Sequence, residues 1–192
     1  MTKYILHGGE TGVPNEHNKA FYQEWVKDFD SDFRPTILLV YFSRLDEDYD
    51  RLEGSDRERF IKFTDNRPVK FIVAEKDPKV FREQIKECDV MYVRGGNPEK
   101  LIKAFLPLKD VLVELLQDKV YAGSSAGVMA ISQYARSHGT DWKRGLGLIP
   151  VNAIVHWSDD LQESLDGFKE DHLDSKDEYL LIAETEFIVK TY

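Results

Sequence analysis

The chain has 192 residues, 42% of them hydrophobic and 32% charged, with 26 lysines and arginines against 35 aspartates and glutamates for a formal net charge of −9. That size and composition fit one soluble domain spanning residues 1–192, with enough apolar residues for a sizeable core, and the acidic balance argues against nucleic acid as a partner, since phosphates need a basic face. The single cysteine, Cys88, rules out an internal disulfide and a cysteine-rich metal site. The N-terminal apolar run, Tyr4 to Leu6, is too short for a signal-peptide core, and no stretch nears the roughly 20 apolar residues of a membrane span, so a cytoplasmic protein without a membrane partner is expected.

Along the chain, short apolar runs alternate with longer amphipathic ones. "KYILHG" predicts a strand closing in a turn, and "NEHNKAFYQEWVKDF" a helix with Phe21, Trp25 and Phe29 at helical spacing. "TILLVYF" is the continuous apolar run of a strand covered on both faces. The acidic stretch from Asp46 reads as a solvated helix interrupted at Gly54. "VKFIVA" predicts a strand and "DPKVFREQIKECD" a helix, with Asp77 as its cap and Pro78 in its first turn. "VMYV" is a strand leading into "RGGNP"; "PEKLIKAF" and "LKDVLVELLQD" are helical; "KVYAGS" is a strand and "AGVMAISQYA" a helix. After Gly139, "NAIVHW", "YLLIAE" and "EFIVKTY" look like strands with little helix between them. The expected fold is α/β: a mostly parallel central sheet between helical layers, with late antiparallel strands.

In open parallel sheets, ligands bind beyond the carboxyl ends of the strands. Three glycine loops fall there: "HGGETG", "RGGNP" and "GSSAG". "GSSAG" fits the G-x-S-x-G elbow with a strand before it and a helix after it, which makes Ser125 a candidate nucleophile and the Ala126 N–H a candidate oxyanion donor. The bland alternative is a small-residue turn that packs strand on helix. A serine needs a base. Among His7, His17, His138, His156 and His172, the strand-end His156 has the most rigid mount. The turn at Gly95 and Gly96 can offer further N–H groups to an oxyanion, or can be an ordinary strand-to-helix turn. "HGGETG" departs from the dinucleotide fingerprint, and Glu10 would repel a pyrophosphate.

Three segments, "CDVMYVRGGNPEKL", "VYAGSSAGVMA" and "GLGLIPVNAIVHW", occur in an order and at spacings that resemble the peptidase E and cyanophycinase family of serine peptidases. The resemblance runs from "KYILHGG" through the last strand. It implies a fold related to class I glutamine amidotransferases, with a flavodoxin-like core, and hydrolysis of a small peptide without metal or cofactor by a monomer or homodimer. It maps the nucleophile onto Ser125, the base onto His156, the oxyanion turn onto Gly95 and Gly96, and a substrate contact onto Asn97. Glu184 aligns with the acid of the family's late strand; Asp141 is the rival and Glu186 a weaker one. Arg94 stands where family members carry the first of three glycines. The segment after His156 is acidic, with Asp159, Asp160 and Glu163 and no arginine, so neutral or basic first residues are expected to be cleaved better than aspartate. A small esterase and a non-catalytic binding protein are the other readings.

Overall fold

A computed structural model describes residues 1–172 and 176–192. The first part alternates: β1 (Lys3–His7), α1 (Glu16–Glu24), β2 (Thr36–Val40), α2 (Tyr49–Phe63), β3 (Lys70–Val73), α3 (Pro78–Glu87), β4 (Val90–Val93), α4 (Pro98–Phe105), α5 (Lys109–Leu115), β5 (Val120–Ser124) and α6 (Ala126–Ile131). Then come β6 (Tyr134–Arg136), β7 (Lys143–Arg144), β8 (Val151–Trp157), α7 (Gln162–Asp171), β9 (Glu178–Ala183) and β10 (Phe187–Thr191).

The main sheet has the order β10-β1-β5-β4-β2-β3. Its neighbours are parallel except for β10 against β1. Side chains alternate across it with the period of two that a strand imposes. Ile5, Leu39 and Tyr92 face one way, onto Phe21 and Trp25 of the α1 region and Phe60 of α2. Leu6, Leu38, Val93 and Tyr121 face the other, onto a core shared with α3 to α6 and with Val151, Val155 and Ile182 of the second sheet. Burial on both faces explains why these strands read as unbroken apolar runs. The second sheet has the order β7-β6-β8-β9. Its other face is covered by Leu161 and by Leu165 of α7.

The mostly parallel sheet between helical layers is as expected, and so is a late antiparallel strand, β10. β8 and β9 differ: they run parallel to each other in the second sheet. Three local expectations also change. α2 is continuous through Gly54, which has nothing within 4 Å of a Cβ built on it. The elbow helix stops at Ile131, where the Ser132 hydroxyl donates to Val128 O and Gln133 N–H to Val151 O. Chain after that point becomes strand β6 instead of helix. The charged segment after Trp157 contains helix α7, whose Leu165 and Phe168 are buried; residues 173–175 of that segment lie outside the described residues. Where caps were legible they form as read: Asp77 Oδ1 accepts from the N–H groups of Lys79 and Val80.

Candidate functional site

Parallel strands bring His7, Val93 and Ser124 to one edge of the sheet, and the site is built from the loops that leave them. Ser125 follows β5 directly with φ 48° and ψ −105°, a left-handed conformation that a non-glycine residue holds only under strain. Its N–H donates to His7 O at 2.9 Å, and its carbonyl accepts from the N–H groups of Val128 and Met129 in α6. A Cβ on Gly127 would sit 2.6 Å from Val93 O. The elbow helix can therefore lie this close to β4 only with glycine there.

His156 comes from the second sheet. It occupies an irregularity between Val155 and Trp157, where the register of β8 on β9 shifts, and it has φ 53°. The bulge turns the imidazole out of the strand's alternation and toward the elbow. His156 Nε2 is 3.0 Å from Ser125 Oγ, and Nδ1 is 3.1 Å from Glu184 Oε1. With the proton on Nδ1, that N–H donates to the carboxylate and Nε2 accepts the serine hydroxyl. The Glu184 side chain is 58% exposed, and it follows β9 in the turn to β10. A cavity of about 600 Å³ opens beside these groups, lined by His138, His156, Trp157, Ser158 and Glu184 among others.

The first glycine loop, which resembled a weak nucleotide motif, braces this arrangement. His156 N–H donates to Gly8 O at 3.1 Å, and Thr185 N–H donates to Gly9 O at 2.9 Å. Gly9 has φ 148°, and a Cβ there would lie 2.1 Å from His156 Cε1, so the loop backbone presses flat against the imidazole. Behind it His7 is fully buried; its Nε2 donates to Asn18 Oδ1 at 2.8 Å and its Nδ1 accepts from Gly9 N–H at 3.1 Å. Burial pushes its pKa down to about 4. Asn18 Nδ2 in turn donates to the carbonyls of Glu10 and Val13. Sequence reasoning missed these roles. The signal available was a glycine pair immediately after a strand-end histidine.

The remaining candidates fall as follows. Gly95 lies beside the elbow, its Cβ position 3.2 Å from Ser125 Cβ. Among the described residues the N–H groups of Gly96 and Ala126 have no hydrogen-bond partner. Asn97 Oδ1 accepts from Lys100 N–H as the cap of α4, which leaves its Nδ2 unengaged. Arg94 pairs with the buried Asp56, which also accepts from Tyr41 Oη. Neither Asp141 nor Glu186 bonds to His156; the Glu186 carbonyl accepts from Gly8 N–H. His138 Nδ1 lies 3.4 Å from Asp160 Oδ2, His172 Nδ1 donates to Phe168 O, and His17 is exposed. Cys88 is buried, which pushes its pKa up to about 12, so its thiol stays protonated.

The fold defines an α/β protein of the peptidase E type, and solved structures share it. A peptidase from an acI-B1 Actinobacterium superposes with a TM-score of 0.67 at 20% identity, covering 99% of this chain and 83% of its own. A protein from Listeria monocytogenes EGD-e, provisionally designated peptidase E, gives 0.61 at 14% identity, covering 100% and 99%. No curated protein matches the sequence. The family model of peptidase family S51 matches residues 5–189, and the chain belongs to that family. Among the described residues no helix is long and apolar enough to cross a membrane.

Proposed function

We propose that the protein is a serine-type peptidase that cleaves a small peptide or amide bond through an acyl-enzyme on Ser125. The observation that carries this reading is the unbroken hydrogen-bonded chain from Ser125 Oγ through both ring nitrogens of His156 to Glu184. Ser125 Oγ attacks the substrate carbonyl carbon as His156 Nε2 takes its proton. The oxyanion collects on the N–H groups of Gly96 and Ala126, and Gly95 and Asn97 Nδ2 border the substrate. The C–N bond breaks as His156 returns the proton to the departing amine. A water then attacks the acyl ester, giving its proton to His156, which passes it back to Ser125 Oγ. Glu184 holds the Nδ1–H tautomer and faces the imidazolium that forms at each step. Cleavage next to a free terminus, as a dipeptidase or exopeptidase does, follows from the resemblance.

The test pairs a fluorophosphonate probe with a dipeptide and acyl-amide library screened for released amine. Ser125→Ala is expected to abolish labelling and to lower kcat by on the order of 10³-fold or more. Ser124→Ala, at the last residue of β5, is expected to do much less. Equal losses from the two changes would sink the assignment.

A further inference from the structure

The turn that carries Gly95 and Gly96 is held from the side away from Ser125. In the main sheet β4 lies between β5 and β2, so the turn leaving β4 sits between the elbow that leaves β5 and the loop that leaves β2. That loop is tied to the turn along its length. Arg94 N–H donates to Val40 O and Asn97 N–H to Ser43 O, each at 3.1 Å. Ser43 Oγ lies 2.9 Å from Arg94 O and 3.1 Å from Gly95 O, so its one proton serves two carbonyls. Arg44 Nε donates to Gly95 O at 2.6 Å.

These bonds fix a direction. The described chain has no cis peptide bond, and in a trans peptide the C=O and the N–H point opposite ways. Gly95 O faces Ser43 and Arg44 on the β2 side, so Gly96 N–H faces the β5 side, where Ser125 stands. A Cβ built on Gly95 lies 3.2 Å from Ser125 Cβ, which puts this peptide within reach of the elbow. Holding the carbonyl therefore aims the donor. The two holders differ in kind. Ser43 is neutral and divides its proton, whereas the guanidinium is a cation, and a bond from a charged donor is about twice as strong as a neutral one. A cation on a peptide oxygen also polarises the whole amide, which makes the N–H of the same peptide a better donor. Asp46, two residues on, pairs with Lys76 instead, and among the described residues Gly95 O is the only partner of the Arg44 side chain.

We propose that Arg44 is a positioning residue of the oxyanion hole, setting the direction and donor strength of Gly96 N–H through the Gly95 carbonyl, a reading that rests on the acyl-enzyme mechanism at Ser125. Arg44 acts through the peptide and not on the reacting atoms. Full negative charge on the oxygen develops in the transition state and not in the bound ligand, so loss of Arg44 slows the chemical step and leaves binding unchanged.

The test is the kinetics of fluorophosphonate labelling at Ser125, which separates the maximal rate, kinact, from the binding constant, KI. Arg44→Ala, with its fold checked by circular dichroism, is expected to lower kinact by about 10²-fold, the low end of what loss of an oxyanion donor costs, because the N–H remains but is no longer aimed. KI should stay within about threefold. Arg44 is exposed and borders an open cavity of about 610 Å³, so a small free cation can reach the space its side chain leaves. Ethylguanidinium at about 50 mM is expected to restore kinact at least tenfold, where equal sodium chloride does not; a part that merely stabilises the loop would show no such rescue. Arg44→Lys, which keeps the charge, should stay within about tenfold of the wild type, and Lys103→Ala, on the same cavity border, should match it. An unchanged kinact in Arg44→Ala, a loss that falls on KI, or a loss that ethylguanidinium does not relieve overturns the proposal while labelling of the wild-type protein keeps the peptidase reading. Failure of the wild-type protein to label at Ser125 overturns both.

Discussion

His7 and His156 lie on opposite sides of Gly9, each at a strand end. His7 is sealed: both ring nitrogens are engaged, by Asn18 and by the Gly9 N–H, and its pKa is pushed down to about 4 by burial. His156 keeps its side chain 24% exposed, with Nδ1 on Glu184 and Nε2 on the Ser125 hydroxyl, beside an open cavity. A histidine with a fixed partner on each nitrogen and no path to solvent orders a loop. One whose second nitrogen meets a reactive hydroxyl can move a proton. The residue type is the same, and access and partner chemistry separate the roles.

The comparison is broken most sharply at the two rings. His156→Gln is expected to lower kcat by about 10⁴-fold or more and to abolish fluorophosphonate labelling without loss of fold. Labelling that survives this change would remove His156 from the mechanism. Glu184→Gln acts through the tautomer of His156. Its carboxylate is more than half exposed, so the expected loss is about 10³-fold, short of the ~10⁴ seen when a buried acid is removed. An Asp141→Asn enzyme assayed beside it should keep near-normal turnover, and the reverse pattern would reassign the acid.

Gly9→Ala tests the wall between the two histidines. The new Cβ falls 2.1 Å from His156 Cε1 at a φ of 148°, so either the ring or the loop has to shift. A displacement near 1 Å is expected to cost about 10²-fold in kcat with KM little changed. Unaltered turnover would mean that the loop yields instead of the ring.

His7→Phe removes both ring nitrogens and leaves Asn18 Oδ1 and the Gly9 N–H unpaired. Each buried group stranded this way costs roughly 1–3 kcal/mol. The pH dependence of stability distinguishes this role from a catalytic one. His7 is neutral in the folded protein down to about pH 4, whereas an unfolded histidine takes up its proton near 6.5. Between those values the unfolded chain binds more protons, so stability falls as pH falls; above about 6.5 the contribution is fully present. From about pH 7.5 to about pH 5 the wild type should lose about 2 kcal/mol more than His7→Phe in urea melts. Parallel slopes for the two proteins would show that His7 carries no such linkage.

Much of this was legible in local chemistry. The alternation of apolar strands and amphipathic helices announced the parallel sheet, because strands buried on both faces must be apolar throughout. The tight turn at Ser125 was legible because such a turn demands small neighbours such as Gly123 and Gly127 at fixed spacing, and such a demand is written in contiguous residues. β6, the parallel pairing of β8 with β9, and α7 were not legible. Tyr134 to Arg136 has no strand signature of its own and is extended because β8 offers it a parallel edge.

The sequence by itself determined the fold class and the candidacy of Ser125, Gly95, Gly96 and His156, since each depends on backbone freedom or periodicity over a few neighbouring residues. Only the tertiary structure decided how the acid is brought to His156, where Arg94 points and what the first glycine loop is for. Glu184, which the resemblance favours over Asp141, ends up 3.1 Å from His156 Nδ1 because the β9–β10 turn is tied to Gly8 and Gly9. Arg94 finds the buried Asp56, 38 residues away along the chain. The flat contact of Gly9 with His156 joins two sheets. Such pairings depend on distances between remote segments, which local sequence does not encode.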